Sequence, residues 1–131
     1  MSLSYHAGLG LRKCNFHDRM LKGRVKMSDH KIIFDNIAWE NAGTGVRYKA
    51  FVHGNQHLRI VEFSEGLIEP DWCIHGHAGT VLDGGFRLDF NGKIEQYSKG
   101  DFIFIPGGEA DKHKAILGGG EKVTLLLFEI R

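Results

Sequence analysis

Cysteine, proline and net charge are what this chain has least of: two Cys, two Pro and a formal charge of +1 over 131 residues. Each scarcity excludes something. Two cysteines, Cys14 and Cys73, make no disulfide framework. Both read as free thiols, which suits a reducing cytoplasm. No apolar run approaches the roughly 18 residues that cross a bilayer, and no signal-peptide core opens the chain. A balance of 17 Lys and Arg against 16 Asp and Glu exerts no strong pull toward nucleic acid or a membrane surface. No segment carries a helical apolar stripe, and there is no internal repeat. Two catalytic signatures are missing as well. Gly118-Gly119-Gly120 is followed by Glu121, with no Lys-Ser/Thr and no helix start, so it is no phosphate loop. No Ser or Cys stands at a recognisable spacing from a His–Asp relay.

What is present is glycine, 18 residues of it, between short apolar runs. That composition suits one turn-rich all-β domain large enough for a core. Residues 1–28 show no sustained period and read as an N-terminal arm. The arm is disordered, or the product of a start site placed too early (Met20 and Met27 offer later ones), or a strand for a partner's sheet edge. The domain is expected over residues 29–131. Lys31–Phe34 and Ile37–Glu40 are short extended pieces. Val46–Val52 and Leu58–Phe63 alternate around a turn at residues 54–56, which makes a hairpin. Leu67–Pro70 is a strand that Pro70 ends. Phe86, Leu88 and Phe90 face inward, and Asn91-Gly92 is the strongest hairpin signal in the chain. Lys93–Tyr97 returns. Phe102–Ile105 is a buried core strand, Asp111–Ile116 is short and extended, and Val123–Ile130 is a last strand apolar enough for burial on both faces. About ten short strands at regular spacing describe a β-sandwich or barrel.

The eight histidines raise the expectation of a metal or acid–base site. Between Glu69 and Gly85 the chain packs Cys73, His75 and His77 at a spacing of two. In an extended strand all three share a face. Asp111 and His113, two apart, share a face of another strand, and Lys112 and Lys114 point away. His75, His77, Asp111 and His113 are therefore the candidate metal ligands, a donor set suited to Zn, Fe, Mn or Ni. Cys73 is a ligand or a small apolar filler. The alternative is that His75 and His77 are hydrogen-bonded core residues with no metal. His53 and His57 flank a turn and read as solvated, and His6, His17 and His30 fall with the arm. Trp72 and Trp39 read as packing aromatics on an outer or subunit-contact face.

In this order the residues resemble the cupin superfamily, small RmlC-like jelly-roll barrels of the cupin-2 type. Gly100, Pro106 and Gly108 fall in register on the second of the two family motifs, with Asp111 at its His position and Ala115 at its Asn position. Val81-Leu82-Asp83-Gly84 is similar to the strand end of the first motif. Counting back from it sets His77 at the family's Glu, and Asp71 and Cys73 near its two His. The resemblance implies a double-stranded β-helix over about residues 46–130 and a homodimer. Asp71 and Cys73 are assigned to substrate contact. Two functions follow as expectations: a module binding a divalent metal, a small molecule or both inside the barrel, or a metal-dependent isomerase, dioxygenase or lyase. Catalytic residues are not assigned.

Overall fold

The structure, a computed structural model, describes residues 30–67 and 69–131. The expected arm, with His6, Cys14 and His17, lies outside the described residues. Eight strands follow in order: β1 Glu40–Asn41, β2 Val46–His53, β3 Gln56–Ser64, β4 His77–Phe90, β5 Lys93–Ser98, β6 Phe102–Ile105, β7 Lys114–Ile116 and β8 Lys122–Ile130. All pairings among them are antiparallel, in the sequence β1-β2-β3-β8-β4-β5, with β6 and β7 also on β4. Among the described residues no helix is long and apolar enough to cross a membrane.

Local chemistry makes both hairpins. Between β2 and β3, Gly54 takes a φ of 60°. Between β4 and β5, Asn91 at 56° and Gly92 at 107° supply the two left-handed residues that a tight hairpin demands. The Asp89 carboxylate accepts the Gly92 N–H at 2.6 Å. The 14-residue β4 serves two sheets. Its first part pairs with β6 and β8, its second with β5 and β7, and its pairing with β8 shifts between Val81 and Asp83. Inward side chains from both sheets, among them Tyr48, Val61, Val81, Phe86, Leu88, Val123 and Leu125, close the core.

Several expectations change. The first extended piece is a 3₁₀ turn over Phe34–Asn36, and the second shortens to β1. Leu67, Glu69 and Pro70 join no strand; the Glu69 carboxylate instead accepts the Ala115 N–H at 2.7 Å. The Phe102–Ile105 run is not core throughout. Ile103 and Ile105 are buried, but Phe102 and Phe104 are 80% and 79% exposed. A strand covered on one face buries only every second residue. The same rule holds in β8, where Val123, Leu125, Leu127 and Glu129 point inward while Phe128 and Ile130 are exposed. His57, expected in solvent, is buried by parity with Arg59 and Val61, whereas His53 is exposed. Trp39 lies against Arg47 and Lys49, and Trp72 against Lys112 and Lys114.

Candidate metal centre

A partly open cavity lies inside the barrel. Its walls are mostly hydrocarbon, including Val46, Val61, Phe63, Phe86, Leu88 and Leu125. Its polar lining consists of Tyr48, Arg59, Glu69, Cys73, His77 and His113.

Three of these converge. One ligand atom each from Cys73, His77 and His113 lies within 4.8 Å of the other two. The backbone explains the meeting. His77 opens β4 opposite Ile105. Cys73 and His113 form a two-way bridge, with Cys73 N–H donating to His113 O at 2.9 Å and His113 N–H to Cys73 O at 3.0 Å. Between Cys73 and His77 the chain is not a strand. Gly76 sits so close to its neighbours that a Cβ there would stand 2.9 Å from both Gly107 N and Ile105 O, and Gly108 N–H donates to Ile74 O. That crossing breaks the expected alternation over residues 73–77. Cys73 and His77 still reach the cavity, while His75 is buried and does not line it.

Asp111 and Asp71 do not line it either. Asp111 ends a 3₁₀ turn over Glu109–Asp111, and its contribution is its main-chain carbonyl, which accepts from His113 Nδ1 at 3.0 Å. Asp71 is exposed. So of the candidate ligands His75, His77, Asp111 and His113, the fold brings together His77 and His113 and adds Cys73 to them.

Glu129 and Arg59 were missed in the sequence. The Glu129 side chain is 1% exposed. It accepts Arg59 Nη2 at 2.7 Å, Arg131 Nη2 at 3.0 Å and His77 Nδ1. Burial alone would raise its pKa, but Arg59, His77 and Arg131 outweigh burial and hold it well below the usual carboxylate range. Burial likewise opposes the charged form of His77. The Glu129 carboxylate and the Cys73 sulfur overcome this and push its pKa up to about 9. At His75, burial and then Arg131 outweigh the pull of Glu129 and drive the pKa down to about 3. The signal for Glu129 was parity, since it is in phase with Val123, Leu125 and Leu127 on the last strand.

These contacts settle the ring tautomers. A carbonyl oxygen only accepts, and so does an ionised carboxylate. His113 Nδ1 and His77 Nδ1 must therefore carry the protons. A metal would displace the second proton of His77, and both Nε2 atoms would then offer lone pairs. Cys73 Sγ is 3.7 Å from His77 Nε2. Two ligands of a tetrahedral zinc, at its usual sulfur and nitrogen bond lengths, stand about 3.5 Å apart. The donors present thus fit a thiolate-and-imidazole metal site.

No protein-family model matches the sequence, and no curated protein matches it. The fold does have relatives. A curled antiparallel jelly-roll of this order is the cupin architecture, and the chain has that fold. It is similar to the polyketide cyclase RemF from Streptomyces resistomycificus, at a TM-score of 0.64 and 20% identity over 76% of this chain and 78% of that one. It is also similar to KdgF from a Halomonas species, with a TM-score of 0.61 and 24% identity over 76% and 91% of the two chains. An RmlC-like cupin from Shewanella frigidimarina gives 0.60 and 19% over 79% and 94%.

Proposed function

We propose that the barrel binds one divalent metal on Cys73 Sγ, His77 Nε2 and His113 Nε2, with a small, mostly apolar molecule beside it in the cavity. The observation that carries this reading is the pair of committed Nδ1 atoms. Glu129 and the Asp111 carbonyl each engage one Nδ1, which leaves Nε2 of either ring for another partner, and that of His77 stands 3.7 Å from Cys73 Sγ. Metal-binding histidines are oriented by such partners. Among Zn, Fe, Mn and Ni, one thiolate with two imidazoles favours zinc. The hydrocarbon walls favour a ligand with an apolar body.

A second reading, a metal-dependent enzyme, draws on the same set. Three protein ligands leave a coordination position open, as catalytic sites do. There the metal would act as a Lewis acid. Around it, Glu129 would hold His77 in place, and the walls would exclude water and seat the substrate's apolar part.

Elemental analysis of the purified protein tests the metal. The expected result is one metal per chain, lost in Cys73→Ser and His113→Ala. A chain that retains no metal and takes up none of Zn, Fe, Mn or Ni overturns the proposal. We also propose a homodimer, supported by the apolar outer face of Phe102, Phe104, Phe128 and Ile130. Sedimentation at one monomer mass across micromolar concentrations would exclude it.

A further inference from the structure

Cys73 has a second relationship to its neighbours. Its sulfur is 3.7 Å from Nε2 of His77, and Nδ1 of that same ring is bonded to Glu129. Glu129 is fixed in turn by Arg59 at 2.7 Å and Arg131 at 3.0 Å. Thiol, imidazole and orienting carboxylate form one continuous line of contacts. That is the arrangement of nucleophilic catalysis, recognised by geometry and roles rather than by order in the chain. The sequence hid it because Glu129 lies 52 residues beyond His77. Cys73 and His77 both line the cavity, so an acyl group seated against Phe86, Leu88 and Leu125 shares the space of the sulfur.

We propose that in the metal-free protein Cys73 is an acyl-transfer nucleophile, with His77 as its acid–base partner and Glu129 as the positioning residue. The substrate class is a small uncharged ester or thioester with a hydrocarbon acyl group, because the walls offer apolar contact. The proposal goes beyond the metal reading and uses the same atoms in a state without the ion.

The step balances without an added oxidant or reductant. The Cys73 thiol passes its proton to His77 Nε2, and the resulting thiolate attacks the carbonyl carbon and forms a C–S bond. The bond from that carbon to the leaving group breaks, and the leaving group takes the Nε2 proton of the His77 imidazolium. Water then enters. Neutral His77 accepts one of its protons, the hydroxide adds to the thioester carbonyl, and the thiolate departs. Acid and alcohol (or thiol) are released, and the thiolate–imidazolium pair is restored.

The experiment uses the full chain stripped of metal by a chelator, with p-nitrophenyl acetate as the probe. Peptide mass spectrometry follows acetylation at Cys73 and at Cys14, which serves as the internal reference thiol. Acetylation at Cys73 is expected to exceed that at Cys14 by about tenfold or more, and Glu129→Gln to slow Cys73 alone by about a hundredfold, the scale of acid–base assistance. The acetyl-Cys73 lifetime should lengthen in that variant, whereas mere loosening of the fold would shorten it. Cys73 reacting no faster than Cys14 overturns the proposal, and the unsubstituted chain alone decides that. A rate or lifetime unmoved by Glu129→Gln overturns it too. Zinc add-back, scored by elemental analysis, separates the readings. Acetylation without any zinc uptake leaves this proposal standing and the metal reading fallen, and uptake without preferential acetylation does the reverse.

Discussion

The inward faces of β3 and β8 change character within two residues. At one end, Phe63 and Val61 meet Val123 and Leu125 across the ladder, and the interior is hydrocarbon. At the other, Arg59 stands opposite Leu127 and His57 opposite Glu129, and buried charge takes over. Strand alternation delivers both sets of side chains to the interior equally well. What differs is how each end is held. The hydrocarbon end is stable through area removed from water, roughly 25 cal/mol for each Å². The charged end is tolerated because its charges are paired: Glu129 answers two arginines and a histidine. The first end tolerates a change of shape, and the second does not tolerate the loss of a partner.

The largest expected effect follows from that contrast. Glu129→Ala should cost about 3–5 kcal/mol in urea unfolding, since it removes the buried carboxylate that Arg59, Arg131 and His77 share. Phe86→Ala, at the other end, should cost a similar ~3–5 kcal/mol by leaving a cavity, yet the folded fraction should keep its metal. If Glu129→Ala also keeps full metal affinity, the two ends are not distinct in role. Next in size is zinc itself. At a hundredfold excess over its dissociation constant it should add about 2.7 kcal/mol to the unsubstituted chain and nothing to His113→Ala, read by thermal unfolding.

A smaller effect comes from pH. His75 has a folded pKa of about 3 against an ordinary 6.5, so it stays neutral in the fold while the unfolded chain takes up its proton. Its contribution is present above pH 6.5 and is lost as pH falls from 6.5 toward 3. The slope is at most about 1.4 kcal/mol per pH unit. His75→Gln should flatten that acid limb by the same amount, and an unchanged limb would show that His75 is not excluded from charge. The smallest effect belongs to the outer face. Phe102→Ser with Phe104→Ser should shift monomer stability by only about 0.5 kcal/mol per site, although each removes a whole aromatic ring. A loss on the scale of Phe86→Ala that persists where the chain sediments as a monomer would mean that the two rings are covered within one chain.

Much of this contrast could be read in the residues. The alternation of Val46–Val52 and Leu58–Phe63, the Asn91-Gly92 turn and the inward Phe86 and Leu88 are local signals, and they fixed the barrel. His77 and His113 were legible as candidates because potential ligands cluster near them, and the structure places them together with Cys73. The rest depended on contacts that no local pattern carries. Phe102–Ile105 has no polar residue to tell one face from the other, so the run read as core throughout. Cys73, His75 and His77 have a strand's period, but the tight passage of Gly76 past Gly107 breaks the strand. Arg59 and Glu129 are 70 residues apart, and only the β3–β8 ladder makes them neighbours.

The length of β4 has a further result. One unbroken run from His77 to Phe90 supplies hydrogen bonds to both sheets, so neither sheet can detach without the other losing its central ladder. Amide exchange along that strand should therefore be slow and nearly uniform from the site to the approach to the Asn91-Gly92 turn, reporting a single opening event rather than two. The cavity would then be as long-lived as the whole molecule.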